Sequence, residues 1–384
     1  MKKIIFILIL VAIIGFAGTY FFGGKIQSWL FRPQIPTGEI GAKAANLTQS
    51  TDSNSQQPAE PMIKTIAENL QVPWAIAWLP SGEILVTQRS GQLVKISPDR
   101  QIIEIQGVRA TGEGGLQGLA IHPNFAENNF IYLYLTTDSD GQLTNQVERY
   151  RLINNELQNR TIIIGNIPAA TYHDGGRIKF GPDRKLYITT GDAQNPNQAQ
   201  NLDYLGGKIL RINDDGAIPT DNPFPNSPIY SLGHRNPQGL TWDDQGQLWI
   251  TEHGRSVPQS GYDELNLIVA GQNYGWPKIQ GDQSQAGMIN PIIHSGADST
   301  WAPSGVIYLN GSIFFTGLRG EAIYQYDITA KKFTTHFFQD FGRLRELTIG
   351  PDGFVYFTTS NLDGRGQSRK GDDKIIKLNP QIFQ

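Results

Sequence analysis

The amino-acid sequence predicts an all-β protein, a six-bladed β-propeller of four-stranded antiparallel blades behind an N-terminal apolar helix and a flexible tether. A strand–turn–strand pattern recurs six times in the 384 residues, at intervals of roughly 40–65 residues, the spacing of propeller or solenoid repeats. Between the copies there is no apolar periodicity of helical type, which argues against an alternating α/β architecture. An unmatched strand at each end of the array suits closure of a ring.

Taken in chain order, Lys2 and Lys3 precede a charge-free run from Ile4 to Phe22 that is long enough to span a bilayer as a helix. The lysines favour a cytoplasmic N-terminus, with everything downstream outside. Gly15-Phe16-Ala17 offers a small-residue cleavage site, but apolar residues continue past it to Phe22, which favours an uncleaved anchor. Residues 1–24 are thus read as a signal anchor or signal peptide, and both export the rest. Residues 25–61, rich in Gln, Ser, Thr, Asn and Pro, are expected to be a flexible linker. The propeller is assigned to residues 62–384.

The six repeats are hairpins: Ala75 to Thr87, Gly118 to Tyr134, Ile178 to Thr189, Leu240 to Thr251, Val306 to Thr316 and Leu347 to Thr358. The 42 glycines and 22 prolines supply the tight turns that many short strands need. Ile63–Ile66 has no hairpin before it and Lys374–Leu378 follows the sixth hairpin, so the first is expected to complete the last blade. With no cysteine, disulfides, thiolate metal sites and thiol nucleophiles are excluded. A net charge of −3 gives no reason to expect a nucleic-acid partner.

If the first strand of each hairpin lines a central channel, residues just before it and just after its partner lie at one mouth. The first set holds Trp74, Glu113, His173, Arg235, Asn236, Trp301, Arg343 and Arg345; the second holds Arg89, Asp192, Glu252-His253-Gly254 and Arg319. Four of these arginines, Arg235, Arg319, Arg343 and Arg345, facing one cavity would repel one another unless an anion sits among them. Arg343 and Arg345 share a strand face, and their forked guanidiniums suit carboxylates or phosphates. His173 is a candidate general base with Asp192 placed to hold its imidazole. Singly, each has a structural reading: a hydrogen-bonded histidine, arginines in salt bridges between blades, Glu264 as a paired surface acid. Convergence on one mouth is what points to a ligand pocket.

Long segments from Val72 to Leu378 resemble the soluble pyrroloquinoline-quinone-dependent glucose, aldose and sorbosone dehydrogenases. They include Gly114-Gly-Leu-Gln-Gly-Leu-Ala-Ile-His-Pro-Asn-Phe125, His173-Asp-Gly-Gly-Arg-Ile-Lys-Phe-Gly-Pro-Asp183, Gly233-His-Arg-Asn-Pro-Gln-Gly-Leu240 and Asn273-Tyr-Gly-Trp-Pro277. The resemblance implies oxidation of the C1 hydroxyl of aldoses to lactones, with the quinone and calcium as cofactors. It implies His173 as base, Asp192 as its orienting partner and Arg235 beside the reactive quinone carbonyl. Asn236, Arg319, Arg343, Arg345 and Trp301 would contact the cofactor, and Glu113, where some members have glutamine, would face the sugar. Backbone carbonyls of Gly254 and Arg255 would bind the catalytic calcium, and the side chains of Glu264 and Tyr274 a second ion. The partners implied are an aldose and an external electron acceptor, a quinone or a cytochrome, with membrane contact only through the N-terminal segment. The expected location is extracytoplasmic, periplasmic or at the cell surface. Two other functions fit a propeller: a calcium-dependent lactonase, and a non-catalytic exported recognition module.

Overall fold

The computed structural model describes residues 38–46, 61–97, 99–256 and 260–384. The apolar run Ile4–Phe22 and most of the expected tether lie outside the described residues. Among the described residues no helix is long and apolar enough to cross a membrane.

Six antiparallel sheets carry nearly all the regular structure. Each begins at a central channel with an inner edge strand: Pro73–Trp78, Leu116–Ile121, Ile178–Phe180, Pro237–Trp242, Pro303–Leu309 and Leu344–Ile349. We number the blades one to six in that order. Ile63–Ala67 pairs antiparallel with Ile375–Leu378 as the outer strand of blade six, so the first and last segments of the propeller share one sheet. This is the closure expected from the unmatched strands.

The blades are buried on both faces, which explains why their strands read as nearly continuous apolar runs. In Ile84–Gln88 of blade one, side chains alternate between the two faces. Leu85 packs with Leu119 and Leu133 of blade two, while Val86 packs with Tyr356 and Ile375 of blade six. Blade two repeats the device: Leu133 faces blade one, and Tyr132 meets Ile178 and Leu186 of blade three.

The threonine that ends the repeats has a specific task. Thr87 Oγ1 donates to Gln117 O (2.6 Å), Thr251 to Ser304 O (2.6 Å), Thr316 to Arg345 O (2.7 Å) and Thr358 to Pro73 O (3.3 Å). Each bond runs from the second strand of one blade to the inner strand of the next, and the last joins blade six to blade one. The Thr87 and Thr358 hydroxyls also accept a backbone N–H from their own blade, from Ala75 and Glu346.

Over residues 38–46 the structure departs from the flexible tether expected of the composition. Glu39–Ile40 adds to the outer strand Lys332–His336 of blade five as a parallel fifth strand. The cause is an open sheet edge, whose unpaired backbone groups recruit any chain that can reach them. Ala42 N–H donates to His336 Nδ1 (3.0 Å) and Ala44 N–H to Asp340 Oδ2 (2.7 Å). A Cβ on Gly41 would come within 2.2 Å of the His336 ring, so only glycine permits this approach.

Replacing Thr316 by valine keeps the shape but leaves the buried Arg345 carbonyl without its donor. We expect a loss of about 1–3 kcal/mol in unfolding free energy, measured by denaturant titration, with the fold retained by circular dichroism.

Candidate active site

The channel mouth near the starts of the inner strands opens into a cavity of about 330 Å³. His173 lines it from the loop before Ile178–Phe180, and Asp192 stands just after Leu186–Thr190. His173 adopts φ 67, a left-handed conformation held by two bonds: its N–H donates to Glu113 Oε2 (3.0 Å) and its carbonyl accepts from Ala193 N–H (3.1 Å). Gly191 makes room for this turn, since a Cβ there would sit 1.9 Å from His173 O. His173 Nδ1 lies 2.7 Å from Asp192 Oδ1. Asp192 also accepts from Gln194 N–H (2.9 Å) and, through Oδ2, from the Trp276 indole N–H (2.8 Å). A carboxylate oxygen accepts here, so the proton between them belongs to Nδ1, and in the neutral ring Nε2 then keeps the lone pair. The imidazole is partly exposed and the carboxylate buried.

Beside the histidine, Glu113 and Arg365 form an ion pair of 3.0 Å that joins loops of blades two and six across the mouth. Burial pushes the Glu113 carboxyl up, but the charges around it, Arg365 foremost, outweigh this and hold it at about 2. Arg319 and Arg343 line the same cavity. Burial lowers the Arg319 pKa, with Asp263 opposing and Arg343 reinforcing the shift. Arg343 is fixed by Asp363, which accepts from Nε (3.0 Å) and Nη2 (2.7 Å), and by Leu318 O at Nη1 (3.1 Å).

Other expected site residues lie behind this first layer. Arg345 is buried under the mouth, its guanidinium 5.6 Å from the Trp74 ring and 3.4 Å from Gln238 Oε1. Burial pushes it down to about 9, and its Nε has no hydrogen-bond partner among the described residues. Asn236 is fully buried; it accepts from Gly175 N–H (3.0 Å) and donates to Glu113 Oε2 (3.4 Å), so it props the site without lining the main cavity. Arg235 borders a smaller adjoining cavity, where it reaches Ser256 Oγ (3.0 Å) and His253 O (3.4 Å) and stacks on Trp276. Trp301 corrects the sequence reading. Its ring is buried in the core of blade five against Phe315, Tyr324 and Phe333, because the inner strand that follows turns it into the sheet and away from the channel.

Gly254 and Arg255 line the main cavity on a tight loop. Gly254 N–H donates to Asp263 Oδ1 (2.8 Å), and a Cβ at Gly254 would lie 2.2 Å from Gly261 O and Tyr262 O. Arg255 O accepts from Gly261 N–H (3.2 Å) and retains a second lone pair. Glu264 and Tyr274 border the smaller cavity together with Glu252. Burial, with Glu252 close by, raises Glu264 to about 8, an environment that a cation would relieve. The expected Tyr274 phenol ligand is already committed, since its hydroxyl donates to Leu267 O (2.6 Å) and accepts from Val269 N–H (2.9 Å). Among the described residues no three His, Asp or Glu side chains are grouped as a metal site, so a cation at the mouth would draw largely on backbone oxygen.

Several residues escaped the sequence reading. Asp363 and Arg365 follow the second strand of blade six, so the rule that singled out Arg319 would have found them had it been carried to the last blade. Asp263 holds the 300–302 turn by accepting from Thr300 Oγ1, Trp301 N–H and Ala302 N–H at 2.6–2.8 Å. Trp276 braces Asp192 from 84 residues away. His253, which the sequence already placed at the mouth, lines both cavities; burial lowers it to about 4, and its Nε2 lacks a partner among the described residues.

A propeller whose channel mouth sets a histidine–carboxylate pair beside arginines that line one cavity has the parts of a cofactor-using enzyme. The family model of the glucose/sorbosone dehydrogenases matches residues 70–369, and the chain belongs to that family. It is 31% identical to an aldose sugar dehydrogenase of Escherichia coli over 84% of this chain and 94% of that one. It is 38% identical to quinoprotein glucose dehydrogenase B of Acinetobacter calcoaceticus, over 58% of this chain and 54% of that protein. The solved structure of the pyrroloquinoline-quinone-bound aldose sugar dehydrogenase of Streptomyces coelicolor superposes with a TM-score of 0.76 at 36% identity, covering 83% of this chain and 98% of that one.

Glu113 has a folded-state pKa near 2, below its ordinary value of 4.5. Its ion pair therefore contributes fully above about pH 4.5 and is lost as pH falls through 2. Urea unfolding of wild type and Glu113→Gln should differ by a constant amount above pH 4.5, with a gap that narrows steadily on acidification. A gap independent of pH would remove the ion pair as its source.

Proposed function

We propose that the protein is an exported pyrroloquinoline-quinone- and calcium-dependent dehydrogenase that oxidises the C1 hydroxyl of aldoses to lactones. The observation that carries this reading is the His173–Asp192 pair facing a cavity that Arg319 and Arg343 also line. When bound, the quinone supplies the two-electron hydride acceptor and calcium the Lewis acid that polarises it. The residues present fit such a group: the buried Arg345 guanidinium, whose Nε has no partner among the described residues, is a donor suited to a carboxylate, and the Gly254 and Arg255 carbonyls are hard oxygen ligands.

His173 Nε2 takes the proton of the C1 hydroxyl, and the C1–H electron pair leaves as hydride, so the carbon becomes a carbonyl. Asp192 holds the ring in the productive tautomer and balances the imidazolium that forms. Glu113, held anionic by Arg365, accepts hydrogen bonds from sugar hydroxyls at the rim of the cavity. Arg319, Arg343 and Arg345 hold the cofactor's carboxylates, and Arg235 and Asn236 brace the loops around it. An external quinone or cytochrome would remove the electrons. Export rests on Lys2, Lys3 and the apolar run that follows them.

Purified protein supplied with the quinone, calcium, an aldose and an artificial electron acceptor should turn over. His173→Ala should bind the quinone normally and lose roughly 10²–10⁴-fold in rate, and Asp192→Asn should lose less. A wild-type rate in His173→Ala would sink the mechanism.

Arg319→Met should weaken quinone binding by roughly 10- to 150-fold, the equivalent of a charge-assisted hydrogen bond of about 1.5–3 kcal/mol. Equal affinities for variant and wild type in a fluorescence titration would remove Arg319 from the cofactor site.

A further inference from the structure

The opposite end of the channel holds a second cavity, of about 380 Å³, which the proposed reaction does not use. Its volume falls within the range of small-molecule pockets, about 300–1,000 Å³. It lies where the inner strands end, and Ile76, Leu119, Ile121, Phe180, Val306 and Ile349 give it an apolar wall. Its lining has three charged groups: Arg177, Lys179 and Glu346.

These charges do not balance. Arg177 is about 94% buried, at a relative exposure of 6%. Its Nε donates to Gln238 O (3.0 Å) and its Nη1 to Glu346 Oε2, but Nη2 has no hydrogen-bond partner among the described residues. The other Glu346 oxygen, Oε1, accepts from Leu347 N–H (3.0 Å). Lys179 feels the same carboxylate and is lowered chiefly by burial, with Arg177 adding to the shift. Two cations thus share one anion in a low-dielectric recess, and a buried guanidinium donor is left unsatisfied. An unpaired buried donor of this kind costs the fold free energy, and the excess positive charge of the lining favours an anion in the cavity.

We propose that this cavity is a binding site for a small organic carboxylate with a compact apolar body. The carboxylate faces the Arg177 guanidinium and the Lys179 ammonium, bringing the local charge to neutrality. The hydrocarbon or aromatic part fills the apolar ring of wall residues and excludes water, which strengthens both contacts. A simple inorganic anion would gain only the first of these terms, and a neutral alcohol only the second.

Arg177 also stacks on Trp74, 4.1 Å from the ring, and Trp74 in turn meets Arg345 of the other mouth. Arg177 variants would therefore disturb both ends of the channel, and Lys179 and the exposed Ile349 are the better probes. Benzoate, titrated calorimetrically into the purified protein, should bind saturably. Lys179→Gln should weaken it about tenfold, and Ile349→Glu, which adds a like charge at the rim, by at least as much. Arg319→Met should leave it unchanged. Absence of saturable binding, or equal affinity for benzyl alcohol, would overturn the proposal. So would binding lost in Arg319→Met but kept in Lys179→Gln, because that would put benzoate among the arginines of the other mouth.

Discussion

Thr87, Thr251, Thr316 and Thr358 each close a seam between blades by donating to a backbone carbonyl of the next inner strand. Apolar packing between blades is strong but tolerates sliding, since one leucine in a groove resembles another. A short hydrogen bond to one particular carbonyl does not. It sets the height of each inner strand relative to its neighbour, and therefore the height of whatever stands at the strand's start. The Thr316 bond falls on Arg345 itself. The arrangement of the mouth is thus inherited from the seams.

Charge is the second constraint. Arg319, Arg343, Arg345 and Arg365 stand around one mouth, and such a group is tolerable only with compensation. Asp363 meets Arg343 and Glu113 meets Arg365, each at hydrogen-bonding distance. Arg345 has no carboxylate at hydrogen-bonding distance among the described residues, and burial weakens its hold on the proton. Of these four, Arg343 and Arg365 are thus held by acidic partners, whereas Arg345 is not. The locked pairs give the cavity rigid walls.

The same logic orders the His173–Asp192 pair. Asp192 is fixed by four contributions around one carboxylate: His173, Gln194 N–H, the Trp276 indole, and burial. A carboxylate so held has one acceptor direction for the imidazole and little freedom to leave it. His173 is held from its backbone as well, through Glu113 and Ala193. Glu113 thereby links the ion pair with Arg365 at the rim to the position of His173.

Much of this was legible in the chain. The six hairpins, the ring closure by Ile63–Ala67 and the meeting of His173 with Asp192 all follow from local patterns: alternation, turn residues, and the rule that equivalent positions of repeated units share one end. Repetition makes these features additive, so reading one blade reads them all. What local pattern could not carry was side-chain direction and partner choice. Trp301 and Arg343 occupy comparable places before inner strands, yet one turns into its blade and the other into the cavity, a difference decided by packing against Phe315 and Phe333. Glu113 reads as a free acid until Arg365, 252 residues away, is folded beside it. Residues 38–46 read as tether because composition records only what a segment can bury by itself, and it was the open edge of blade five that gave them a place. The sequence alone determined the number of blades and the end of the channel where His173, Asp192 and the arginines gather, because both depend on periodicity. The tertiary structure decided which charges are paired and which remain available, because pairing is a matter of distance between segments that the chain keeps far apart.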